Sequence, residues 1–108
     1  MEEITIEEFQ RIDLRVGKII EAKKVEGAKR LLQFIVDIGD EYRQLIAGIA
    51  ESYKPEDIIG KEIVIVANLK PAVIRGITSN GMLLAASNND VISILSPDKE
   101  MPPGSKVK

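Results

Sequence analysis

Leu32, Phe34, Val36 and Ile38 alternate with Gln33, Ile35 and Asp37, the period-2 pattern of a strand with one buried face. Gly39-Asp40 suits a two-residue type II′ turn, and Glu41 to Gly48 then returns beside the first strand, which predicts a hairpin. Upstream, Leu14 to Ala22 starts in alternation but its phase slips after Gly17, so a bulge or bend is expected there, as when one sheet curls into a barrel. Lys23 to Arg30 reads as a charged loop. Ile63 to Ala67 and Met82 to Ser87 are short apolar runs, long enough for buried strands and too short for stable helices. Helical signals are brief. Thr5 and Glu8 have the spacing of a capping box, with Ile4 and Phe9 placed as its hydrophobic staple. Pro55 opens and Gly60 closes a helical turn or two between the third and fourth strands.

Strand, strand, strand, helix, strand, strand, with a glycine-bent first strand, is the order of a five-stranded Greek-key OB barrel. The expected architecture is therefore all-β, one domain over residues 1–108, with a short N-terminal helix and a C-terminal extension. Two stretches exceed that minimum. Asn68 to Met82 is expected to connect the last two barrel strands, and it carries Pro71, Gly76, Gly81, the cations Lys70 and Arg75, a hydroxyl at Ser79 and two amides. Asn88-Asn89-Asp90 turns into Val91 to Leu95, and after Pro97 a polar tail with a tight turn at Pro102-Pro103-Gly104-Ser105 is expected.

Composition narrows the chemistry. The chain has no cysteine and no histidine, which removes disulfides, thiolate nucleophiles and the commonest metal ligand. A nucleophile at Ser79 would need a lysine as its base, and no pair of carboxylates stands out from the solvated rest. Neither catalysis nor a metal or cofactor is expected. No run approaches the length of a membrane span, and Met1-Glu2-Glu3 is acidic where a secretory signal would be basic, so a cytoplasmic protein is expected.

Charge is unevenly spread on a chain of net charge −2. Between Leu14 and Val36 the cations Arg15, Lys18, Lys23, Lys24, Lys29 and Arg30 face only Glu21 and Glu26, a basic stripe that points to a polyanionic partner. Aromatic platforms are few: Phe9 belongs to the staple and Phe34 to the core phase of its strand, leaving Tyr42 and Tyr53. RNA contact is then expected through phosphates and overall shape, not by stacking base after base.

Asp13-Leu14-Arg15-Val16-Gly17-Lys18-Ile19, Val36-Asp37-Ile38-Gly39, Gly48-Ile49-Ala50, Tyr53-Lys54-Pro55-Glu56, Asn68-Leu69-Lys70-Pro71, Arg75-Gly76, Ser79-Asn80-Gly81-Met82 and Pro102-Pro103-Gly104-Ser105 together resemble the tRNA-binding domain family, in order and over nearly the whole chain. That resemblance implies an OB barrel in the cytoplasm that binds the folded tRNA shape without reading sequence. It further implies an accessory domain or separate subunit of methionyl-tRNA synthetase, partnered by the catalytic chain and by a second copy of itself, with no catalysis of its own. Arg30, Arg75, Ser79 and Met82 fall on motif positions that the family associates with RNA, and Lys29 and Lys70 are their cationic neighbours. Val25-Glu26 and Val73 depart from the pattern, each lowering positive charge.

The homodimer is expected to use the N-terminal helix and the segment from Val91 onward, because Ile92, Ile94 and Leu95 add apolar surface beyond a closed five-stranded barrel. The alternative is a protein-binding module like the export-related chaperone that shares this barrel.

Overall fold

The computed structural model describes all residues 1–108. Its elements run α1 (Ile6–Phe9), β1 (Leu14–Lys24), β2 (Leu32–Asp37), β3 (Tyr42–Ala47), α2 (Pro55–Ile58), β4 (Glu62–Val66), β5 (Ala72–Ile74), β6 (Ile77–Ser79), β7 (Met82–Leu83), β8 (Ala85–Asn88), β9 (Val91–Ile94) and β10 (Lys106–Val107). Every ladder is antiparallel, and the main sheet has the order β3-β2-β1-β4-β7. It is a nearly closed, OB-like barrel.

The long β1 organises it. Leu14 to Lys18 pair with β4, Lys18 to Lys24 pair with β2, and on the edge vacated by β2 the residues Leu14 and Arg15 take up β10. The bulge falls between Ile19 and Glu21, beyond the Gly17 at which the hydrophobic phase slips. Gly17 serves a close approach instead: a Cβ there would lie 2.3 Å from Val36 Cγ1. Beside the bulge, the Gly60 N–H donates to Ile19 O and the Ile19 N–H donates to Lys61 O, which seats α2 against β1. Ile58 of α2 is fully buried in the core with Ile19, Phe34, Leu45, Ile63 and Ile65.

The β2–β3 hairpin has the predicted two-residue turn, with Asp37 opposite Tyr42 and φ 102° at Gly39. Both capping-box hydrogen bonds of α1 form, Glu8 N–H to Thr5 Oγ1 at 3.1 Å and Thr5 N–H to Glu8 Oε1 at 3.0 Å. Ile4 and Ile6 nevertheless stay 61% exposed.

Three features differ from the sequence reading. The connection from Asn68 to Met82 contains its own hairpin, β5–β6, and the expected fifth strand breaks at Leu84, so that β8 leaves the barrel to pair with β9. The C-terminal residues are not a tail. Gly104 N–H donates to Val16 O at 2.7 Å, Val16 N–H donates to Ser105 O at 2.9 Å, and β10 extends the ladder on β1. Finally, Ile94 belongs to the core at 8% exposure and Ile92 packs against it, with the Ile94 N–H donating to the Tyr53 hydroxyl. These two side chains of the β8–β9 hairpin are thus covered by the barrel of the same chain, and Val91 and Leu95 are the exposed apolar residues of that segment.

Candidate nucleic-acid interface

The basic stripe divides. Arg15 is paired with Asp13 at 3.0 Å, and Lys18 stands in register between Asp37 and Glu62 of the adjacent strands. The hydrogen bond from Arg15 holds the Asp13 carboxyl below its ordinary value of 3.8. Lys23, Lys24, Lys29 and Arg30 follow at the other end of β1 and in the loop beyond it. At that end Lys29 and Arg30 gather with Arg75 of the connection between Asn68 and Met82.

The gathering has a backbone cause. In β5–β6, Ile74 is opposite Ile77, so Arg75-Gly76 is a two-residue turn with φ 55° and 78°, the left-handed pair of a type I′ turn whose twist matches the strands. A non-glycine residue in that region carries a cost of about 1–2 kcal/mol. Arg75 adopts it at a tip from which its Nη2 donates to Gly27 O, 2.7 Å away in the β1–β2 loop. In that same loop Arg30 O accepts the Ala50 N–H, and Arg30 Nε lies 3.2 Å from Glu51 Oε1. Three segments, 25–31, 48–51 and 72–79, therefore converge on one end of the barrel with Lys29, Arg30 and Arg75 exposed on it.

The Arg30–Glu51 pair is open to solvent, with side chains 80% and 66% exposed, so it stabilises by at most about 1 kcal/mol and yields readily to a competing phosphate. Arg75 uses one nitrogen on Gly27 and keeps its other donors free in the hydrogen-bond network. Lys70 and Met82 lie beside this cluster on an apolar groove of about 570 Å³ between β5–β6, the end of β3 and β7–β8, floored by Ile46, Ile49 and Leu83. Met82 is 47% exposed and lines that groove.

Ser79 has another place. It is 4% exposed, its Oγ accepts the Ile46 N–H at 3.0 Å and donates to Gly81 O at 3.2 Å. β3 and β6 share no ladder, and this hydroxyl supplies one of the bonds that close the barrel between them. Ser79→Ala is therefore expected to lower stability by about 1–3 kcal/mol, because it leaves the buried Ile46 N–H without an acceptor. Chemical unfolding measures that loss, and the salt dependence of RNA binding by the folded variant should match that of the unaltered protein.

Asn68 is likewise a bracket. Its Oδ1 accepts from Asp13 N–H at 2.8 Å and its Nδ2 donates to Arg11 O at 2.7 Å, while Ala67 N–H donates to Asp13 O. Sequence reasoning passed over Arg43 and Gln44, which hold the same connection from β3: Arg43 Nη1 donates to Ala67 O and Asn80 O, and Gln44 Nε2 donates to Thr78 O. A signal existed, since Arg43 stands opposite Val36 and in phase with Leu45, where an apolar residue would be usual. Among the aromatic side chains Phe34 is buried and the Tyr53 hydroxyl is bonded to β9, which leaves Tyr42, 67% exposed, as the one broadly solvent-facing ring.

Residues 14–106 match the family described as "Putative tRNA binding domain". The chain is 54% identical over 104 residues to the methionine–tRNA ligase of Thermotoga maritima, covering 96% of this chain and 16% of the ligase. The curated relative is thus about six times longer than the part matched. Among solved structures, a MetRS-related protein from Pyrococcus horikoshii superposes with TM-score 0.94 at 36% identity, covering all of both chains. The chaperone CsaA from Bacillus anthracis superposes with TM-score 0.92 at 29% identity, covering 99% of this chain and all of that one. A family match over most of the chain, on a barrel with three loops and their cations brought to one end, establishes that this chain belongs to the tRNA-binding domain family.

Proposed function

We propose that this domain binds the folded shape of tRNA without reading sequence, and that it acts as an accessory and dimerising module of methionyl-tRNA synthetase in the cytoplasm. The family match over residues 14–106 carries the reading, and the exposed cations Lys29, Arg30 and Arg75 at one end of the barrel fit it. Phosphate contacts fix position but carry no base identity, and one exposed tyrosine is too little for stacking along a strand. Lys70 and Met82 would meet the RNA beside that cluster, and Ser79 would act from beneath by holding β6 in place.

Attached to a catalytic chain, such a contact raises the local concentration of tRNA and so supports aminoacylation without any chemistry in the barrel. A second copy would cover apolar side chains that the fold leaves out: Ile4, Ile6 and Ile12 near the N-terminus, with Val91 and Leu95 from the C-terminal segment. The likeness to CsaA favours a protein-binding alternative, in which the apolar groove takes an unfolded segment.

One titration separates the two. Several unrelated folded tRNAs are expected to bind with similar affinity, an unstructured RNA of equal length more weakly, and an unfolded peptide should not compete. Competition by the peptide, with indifference to tRNA, would favour the chaperone-like reading. Sedimentation at micromolar concentration is expected to show a dimer, and a monomer there defeats that part of the proposal.

A further inference from the structure

The connection that carries Lys70 and Arg75 leaves the barrel after Ala67 and returns at Asn80, and a single guanidinium nitrogen spans both points. Arg43 Nη1 donates to Ala67 O at 2.9 Å and to Asn80 O at 3.2 Å. The rest of the fork faces Glu41, whose Oε1 accepts from Nη2 at 2.9 Å and from Nε at 3.0 Å. The Arg43 side chain is only 17% exposed, so it lies beneath the connection and not among the exposed cations. Nearby bonds point the same way. Asn80 N–H donates to Gln44 O at 2.8 Å, and Gln44, itself fixed by Gln33 Nε2, donates to Thr78 O.

We infer that Arg43 is a positioning residue for RNA binding: it clasps the two stems of the 68–79 connection and so holds Lys70 and Arg75 in one arrangement toward the phosphates. This rests on the tRNA-binding reading given above. Only a planar fork can serve two carbonyls on one side and a carboxylate on the other; a lysine would bring the charge without that geometry. Without the clasp, β5–β6, with just three residues per strand and no ladder to the barrel, keeps the bonds at Thr78, Ser79 and Asn80 but loses the one that joins its two stems, and so opens more often. Its cations would then neutralise phosphates only after an ordering step, which lowers affinity.

The test compares Arg43→Met and Arg43→Lys with the unaltered protein by hydrogen exchange and by tRNA titration. Amides of Val73 to Ser79 are expected to exchange at least about tenfold faster while those of β1 and β2 keep their rates, since local opening need not involve the barrel. Affinity for tRNA should fall about tenfold in Arg43→Met, and that loss should vanish when Lys70 and Arg75 are already alanine, because Arg43 acts through them. Should Arg43→Met not fold, Arg43→Lys carries the same comparison. Unchanged exchange in the hairpin overturns the inference. So does an affinity loss that persists in the Lys70→Ala/Arg75→Ala background, which would mark Arg43 as a direct contact or a general stabiliser. If the unaltered protein binds no tRNA, the functional reading fails first, and the exchange arm then judges on its own whether Arg43 holds the hairpin.

Discussion

Gly104→Ala is expected to destabilise the domain by about 3 kcal/mol, from left-handed strain and overpacking together. Gly104 has φ 90°, and a Cβ built on it would sit 2.4 Å from Ile38 O and 3.3 Å from Ile38 C. The contact is reciprocal. Gly39, at φ 102°, would place its own Cβ 2.7 Å from Pro103 O. Backbone meets backbone here, so no rotamer change can make room. The turn 102–105 would have to move away from the β2–β3 hairpin, taking with it the Gly104-to-Val16 and Ser105-to-Val16 hydrogen bonds and the start of β10. Gly27→Ala is the control. Gly27 shares a positive φ of 78° but has open space where a Cβ would go, so its substitution should cost only about 1 kcal/mol of backbone preference. Urea unfolding of the two variants measures the difference. Equal losses would show that the close approach at Gly39 and Gly104 contributes nothing beyond φ.

Elements governed by near neighbours in the chain were legible in the sequence. The β2–β3 hairpin needs only alternating apolar residues and a Gly-Asp turn, and the capping box needs only Thr5 and Glu8 three residues apart. What the sequence obscured was set by contacts across long separations. Asn68 to Met82 read as a connection without strands of its own, and the β5–β6 hairpin is held there by the Gln44 amide, which donates to Thr78 O, and by the Ser79 hydroxyl, which accepts the Ile46 N–H of β3, contacts that sequence alone cannot bring near. The polar C-terminus gave no strand signal because β10 is two residues long and is placed by Gly104 packing on Gly39. The candidate site divides in the same way. Cations were visible as residues, and Lys29, Arg30 and Arg75 do lie at one end of the barrel. Whether a cation was free depended on partners that no charge count reveals: Arg15 is held by its near neighbour Asp13, and Arg43 by the distant carbonyls of Ala67 and Asn80. Ser79 belonged to a recognisable motif, but its burial against β3 follows from barrel closure, which no local pattern encodes.

Neutralising Lys29, Arg30 and Arg75 together is expected to weaken tRNA binding on the order of 10²-fold near 0.1 M salt. Each phosphate contact releases counterions, and each contributes roughly 0.7 to 0.9 to the slope of log affinity against log salt, about five- to eightfold in affinity at that concentration. Three contacts therefore remove about two units of slope or somewhat more. All three side chains are exposed, so the fold should hold: Arg30 has only its open pair with Glu51, and Arg75 a single bond to Gly27 O. Unrelated tRNAs should lose affinity by the same factor, since a phosphate looks the same on every one of them. Met82→Ala offers the contrast. A thioether releases no counterions, so its removal from the groove should lower affinity with the slope intact. The decisive measurement is a salt titration of tRNA binding on both variants, each confirmed folded by thermal melting. If the triple variant keeps both affinity and slope, the RNA lies elsewhere on the barrel and the convergence of the three loops is a matter of folding alone.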